Sequence, residues 1–165
     1  MKKTILALSF ALVGCSNNSV TNDIYLIPED YEGYVYAFYN VKGAPEIKKE
    51  GDYKVYLIND EGYYATSTPD MDYGTVTDKY YYIDPNGKRT KIDEECIRGL
   101  GTGSLEHDPD GLNKLNIHYT GIEVTKDGCS QIFTESGNGM NHEDLDPVLA
   151  EVVKKHYGVE LMDSD

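Results

Sequence analysis

The chain has 165 residues, with 15 Lys and Arg against 29 Asp and Glu and a formal net charge of −14. So acidic a surface repels phosphate backbones and shows no basic footprint, which sets nucleic-acid binding aside, and it opposes adsorption onto anionic lipid head groups. Fifteen tyrosines and no tryptophan suit half-wet β-sheets, where a ring packs across strands while its hydroxyl reaches water or a partner.

At the amino terminus, Lys2 and Lys3 precede an apolar run from Ile5 to Val13, which closes on Leu12-Val13-Gly14-Cys15. A basic n-region, an apolar h-region and a small residue before cysteine resemble the signal peptide of a bacterial lipoprotein. The run is too short to span a membrane permanently. An ordinary secretory signal with a chance cysteine, or a buried helix, accounts for less of this order. The resemblance implies that residues 1–14 are removed and that Cys15 becomes the lipidated first residue. It would carry a thioether-linked diacylglycerol and, in many species, a third acyl chain, palmitate being the usual kind. At about 0.8 kcal/mol per buried CH₂, several chains anchor a protein permanently. Losing Lys2 and Lys3 takes the mature charge to −16. Residues 15–23, beginning Cys15-Ser16-Asn17-Asn18-Ser19, read as a lipid-anchored polar tether. Ser16 in place of aspartate directs lipoproteins of enterobacterial type to the outer membrane, so the expected location is the cell envelope, on the periplasmic face of the outer membrane if the host is Gram-negative.

Short aromatic and β-branched runs follow, each ending at turn residues: Ile24 to Ile27, Tyr34 to Val41, Tyr53 to Ile58 and Gly62 to Thr66. In Tyr53-Lys54-Val55-Tyr56-Leu57, alternate positions take opposite faces. Lys79 to Ile83 and Arg89 to Ile92 form a predicted hairpin through Asp84-Pro85-Asn86-Gly87, with Pro preset for the second turn position. Residues 99–113, rich in glycine, read as a long loop. Lys114 to Tyr119, Gly121 to Thr125 and Ser130 to Phe133 read as three more strands, the last two joined through Lys126-Asp127-Gly128. A helix is predicted over about 147–157, capped by Asp146, opened by Pro147 and stopped by Gly158. The expected fold is mainly β: an antiparallel β-sandwich with one C-terminal α-helix, in a single domain over 24–158, with a frayed tail over 159–165.

With Cys15 taken by lipid, Cys96 and Cys129 remain as an even pair in an oxidising compartment, so a disulfide is expected. Neither thiol has a flanking cation or a Cys-x-x-Cys partner to make it reactive. Gly99-Leu100-Gly101-Thr102-Gly103-Ser104 lacks the spacing, the lysine and the following helix of a phosphate loop. His107, Asp108, Asp110 and His118, and the cluster from Asn141 to Asp146, lack metal-site spacing. A calcium loop from Glu106 would need a carboxylate where Ile117 stands. No catalytic residue, metal or cofactor is therefore assigned. Tyr80-Tyr81-Tyr82 sends alternate rings to opposite faces. Tyr80 and Tyr82, with Tyr56, are the candidates for a binding face that stacks on sugars or anchors a protein, unless the second-half strands cover that face.

Tyr25-Leu26-Ile27-Pro28-x-x-Tyr31-x-Gly33-x-Val35, with Asp72-Tyr73-Gly74-x-x-x-Asp78-x-Tyr80-Tyr81-Tyr82-Ile83-Asp84-x-x-Gly87-Lys88-Arg89, resembles an uncharacterised domain of small bacterial lipoproteins and exported proteins. That family has no assigned activity. The resemblance implies a β-rich exported domain, similar in outline to transthyretin-like sandwiches that serve as binding modules. The expected function is a lipid-anchored, non-catalytic interaction module. It would contact the membrane through Cys15 and a protein or cell-wall ligand through its tyrosines. The alternatives are an immunity or inhibitor protein that sets its acidic surface against a basic toxin or hydrolase, and a hydrolase with an unrecognised site.

Overall fold

The structure, a computed structural model, describes residues 19–108, 114–137 and 139–161. The signal segment 1–14, Cys15 and the tether up to Asn18 lie outside the described residues, as do Asp110 and the tail from 162. The elements in chain order are β1 (Asp23–Pro28), β2 (Gly33–Tyr39), β3 (Lys48–Glu50), β4 (Tyr53–Leu57), β5 (Tyr63–Ala65), β6 (Lys79–Ile83) and β7 (Arg89–Lys91). A 3-10 turn (Glu94–Cys96), β8 (Ile97–His107), β9 (Leu115–Val124), α1 (Gln131–Glu135) and α2 (His142–Tyr157) follow.

The strands make two sheets, ordered β3-β4-β1-β6-β7 and β5-β2-β9-β8. Between them lies one core, built from Tyr25, Ile27, Val35, Tyr39, Tyr56, Tyr80 and Ile122 among others. On the far side of the second sheet, Tyr36, Phe38, Leu115 and Ile117 pack under Leu145, Leu149, Val152 and Val153 of α2. The mainly β class with one substantial helix is as expected.

The sheets are mixed rather than purely antiparallel. Antiparallel pairing joins β2 to β9, β8 to β9, β3 to β4 and β6 to β7. By contrast, β1 runs parallel to both β4 and β6, and β2 runs parallel to β5. Along the chain, β1 lies in the first sheet, β2 in the second, β3 and β4 in the first, β5 in the second, and β6 and β7 in the first. A short turn that changes layer cannot pair the strands it joins. The chain then returns to its first sheet in the original direction, which makes non-consecutive neighbours parallel. Turn residues alone do not tell a hairpin from such a layer change. The turn at Asp84 is a hairpin as predicted: Gly87 N donates to Asp84 O (2.9 Å), and the Asp84 carboxylate accepts from Lys88 N (2.8 Å) and Asn86 N (2.9 Å).

The second half departs further from the sequence reading. Residues expected as a loop form β8, the longest strand, paired with β9 from Ile97 to His107 with an irregularity between Gly99 and Gly101. Its glycines make room for aromatic rings: a Cβ on Gly103 would stand 2.5 Å from the ring of its partner Tyr119. Gly121 likewise lies under Tyr36, with a would-be Cβ 3.0 Å away, so it continues β9 instead of dividing it. Ser130 to Phe133 is not a strand. Ser130 caps α1 by accepting from Phe133 N (3.2 Å). The helix α2 starts earlier than predicted because Asn141, not Asp146, is its cap, accepting from Glu143 N (3.1 Å). Pro147 falls inside the helix, where its missing N–H leaves only the Glu143 carbonyl without an intrahelical donor.

Cys96 and Cys129 are bonded, tying the start of β8 to the segment before α1. Ser130 N donates to Glu95 O and Thr125 N to Cys96 O, both at 3.0 Å, so the bridge stands in an ordered corner. For a loop of this length, the chain-entropy account predicts a loss of about 3–4 kcal/mol on replacing both cysteines with serine. Urea unfolding of that variant should show a lower midpoint. An unchanged midpoint would mean that the bridge contributes nothing to stability.

Candidate functional site

Three parallel neighbours, β4, β1 and β6, point alternate residues at the second sheet, and their register turns that alternation into rows. Tyr56, Tyr25 and Tyr80 are aligned across the strands, and their rings stack at 4.9 Å and 5.4 Å between centroids. One step toward the strand starts, Lys54 pairs with Asp23 in register, and Asp78, immediately before β6, completes a charged row. The position of Asp78 is fixed from two sides: Asp23 N donates to its Oδ1 (3.1 Å), and Thr21 Oγ1 donates to the same oxygen.

This row is an unusual place for carboxyls. Asp23 is 4% exposed, and its Oδ1 has no hydrogen-bond partner among the described residues. Burial, and then the neighbouring Asp78 charge, push its pKa up to about 7, against the opposing pull of Lys54. Lys54 is itself held by Asp72, at 2.9 Å. Burial also raises Asp78, with Thr21 and the Asp23 N–H acting the other way. Behind the row, Tyr39 OH donates to Tyr56 OH (3.0 Å). Burial raises the Tyr56 and Tyr80 hydroxyls well above the usual phenol range, so both remain neutral donors.

From Asp78 the row opens into a groove of about 630 Å³ between the sheets. It lies where the pairing of β6 with the returning chain runs out: β7 pairs with Tyr81 to Ile83 and Ile92 N still donates to Tyr80 O (2.9 Å), but Asp78 and Lys79 lie beyond it at the sheet margin. One wall carries Asp78, Lys79, Tyr80 and Tyr81; Lys91, Ile92 and Glu94 close the side, and Ile97 and Gly99 of β8 supply the floor. Both signs of charge, aromatic surface and a strand margin suit recognition of an extended polar chain. The groove is open along one side, so a bound chain would keep part of its surface in water.

Of the tyrosines predicted as a binding face, Tyr80 borders the groove from the core, Tyr56 is buried in the core between the sheets, and Tyr82 packs against that core. The second sheet covers the side that their alternation selects. The outward tyrosine of the triplet is Tyr81, on a face where Lys79 Nζ sits 3.7 Å from the Tyr53 ring. The histidines singled out in the sequence are dispersed, His118 lying 3.8 Å from Asp70 and His142 3.7 Å from Asp146. Asp23 and Asp78, the most perturbed carboxyls, were missed. Their signal was an acid two residues before a buried tyrosine in each of two strands, which becomes meaningful only when those strands are neighbours in register.

The chain belongs to a family of unknown function, DUF6843, whose model matches residues 19–133. It is also similar to a Bacillus anthracis protein of known crystal structure that bears the name "Putative Lipoprotein". The two share 35% identity and a TM-score of 0.73, over 83% of this chain and 97% of that one. No curated protein matches the sequence.

Proposed function

We propose that this DUF6843 member is a lipid-anchored protein of the cell envelope that acts as a binding module, with the groove beside Asp78 as its ligand site. The anchor rests on the order Lys2-Lys3, apolar run, Leu12-Val13-Gly14-Cys15, and on the name borne by its Bacillus anthracis relative. The binding role rests on one observation above all: an open, mixed-charge, aromatic groove at an incompletely paired strand. In cells fed an alkyne-bearing fatty acid, the protein should take up label and sediment with membranes, and a Cys15→Ser form should do neither. A photo-cross-linking side chain at Glu94, on the groove margin, should trap one stoichiometric partner in the host, whereas the same group at Ile132 on α1 should not. Equal trapping at both positions would remove the groove from the account. The identity of a trapped partner would separate an adhesive or scaffolding role from inhibition of a basic toxin or hydrolase.

A further inference from the structure

We propose that the end of the domain nearest the tether rests on the bilayer, with Tyr73, Val76 and Val20 entering the interfacial layer. This seating rests on the lipid anchor at Cys15 proposed above. Of the five large apolar side chains exposed among the described residues, these three lie within two residues of a single bridge, that between Val20 and Thr75. Tyr73 is 57% exposed and Val76 67%, the latter at the end of the groove nearest the tether, so the seating sets that end of the groove beside the membrane. The bridge is firmly built: Thr75 N donates to Ser19 O (2.9 Å), and Thr21 N donates to Thr75 O (3.1 Å). Gly74 is required there, since a Cβ on it would stand 2.1 Å from Ser19 O. The apolar trio is therefore fixed to the segment that leads toward Cys15.

The length of chain beyond the described residues selects the occupant. Three residues separate Cys15 from Ser19, so even a fully extended chain, at about 3.5 Å per residue, keeps Ser19 within about 14 Å of the lipidated cysteine. That upper limit is only about two to three times the head-group layer, which occupies roughly 5–8 Å on each side of the hydrocarbon core, so this end stays at the membrane surface. An anchor this short turns contact between this end and the lipid into an intramolecular event, so that three side chains suffice. A tyrosine with valines is the composition that favours the membrane–water boundary. Nearby acids do not prevent it: Asp72 is paired with Lys54, and Asp70 accepts from the Tyr73 hydroxyl (3.1 Å). The contact is apolar rather than electrostatic, in keeping with the charge of −16 once Lys2 and Lys3 are removed. Because β1, β4 and β6 are parallel and start at this end, the seating turns the turns after them, which carry Glu29, Asp30, Glu32, Asp60, Glu61 and Asp84, away from the membrane.

The absence of tryptophan allows a clean test. Tyr73→Trp and Ile132→Trp forms of the full chain are purified from host membranes, the Cys15 modification is checked by mass, and each is reconstituted in phosphatidylcholine vesicles. Brominated phosphatidylcholine should quench most of the emission of the Tyr73→Trp form, with a blue-shifted maximum, and this should survive high salt. The Ile132→Trp form should stay fully accessible to aqueous iodide. A lipidated, vesicle-bound protein in which both forms are equally open to iodide would overturn the seating and leave the anchor standing. A protein with unmodified Cys15 that does not associate with vesicles would overturn both.

Discussion

Replacing Tyr56 with alanine should cost about 4–5 kcal/mol, a large part of the roughly 5–15 kcal/mol that holds an ordinary domain together. The ring is fully buried, stacks on Tyr25 at 4.9 Å, and meets Tyr39 and Tyr64 edge-on at 6.2 Å and 5.7 Å. Removing it takes away a large apolar surface from both layers and leaves the Tyr39 hydroxyl without its acceptor. Tyr56→Phe keeps the ring and should cost only about 1–2 kcal/mol, the share of the hydroxyl. Tyr81→Ala, on the outward face, should cost less than Tyr56→Ala by several kcal/mol. The double change of Tyr80 and Tyr82 to alanine should prevent folding rather than selectively weaken binding, because the Tyr80 ring belongs to the core between the sheets and the Tyr82 ring packs against it. Urea midpoints for the series decide the matter. If Tyr56→Ala unfolds no earlier than Tyr81→Ala, the tyrosine ladder is not the core.

The same ladder shows where a sequence can be read and where it cannot. Alternation was legible, since Tyr53, Val55 and Leu57 take one side of β4 and Lys54 and Tyr56 the other. Which side faced the core was not, because that depends on a second sheet whose strands β8 and β9 carry Gly99, Gly101, Gly103 and Gly121. Gly99, Gly101 and Gly103 read locally as loop, and Gly121 as the start of a separate strand. In the fold they lie in strands, and Gly103 and Gly121 are the positions where rings from a partner strand lie across the backbone. Likewise, Asn141 and Pro147 both carry signals for a helix start, and Pro147 was the more conspicuous, although Asn141 makes the capping bond. Strand neighbours were the largest loss. The aligned row of Lys54, Asp23 and Asp78 exists only because the chain changes layer between β1 and β2, β2 and β3, β4 and β5, and β5 and β6, and so lays β4, β1 and β6 side by side.

From that row follows a second large effect, read through pH. Asp23 has an ordinary pKa of 3.8 in the unfolded chain and about 7 in the fold, so the native state holds a proton over an interval in which the unfolded state has released it. Stability is then full below pH 4 as far as this group is concerned, and declines as pH rises through that interval at about 1.4 kcal/mol per pH unit. The whole effect is on the order of 4 kcal/mol by pH 8. Asp78, raised by burial, acts in the same direction. Glu50, Asp84 and Glu160 are lowered by their partners and act oppositely, but they lie in solvent, where such pairs contribute little. The urea midpoint should therefore be higher near pH 5 than at pH 8. Asp23→Asn, which keeps the shape without the charge, should flatten that slope and leave the variant the more stable protein at pH 8. A wild-type profile level between pH 5 and pH 8, or a slope that persists in the variant, would show that Asp23 does not ionise at the expense of the fold. The effect would not stay local. Asp78 receives the Thr21 hydroxyl and the Asp23 N–H, so charge accumulating in the row bears directly on the residues that join the domain to its tether.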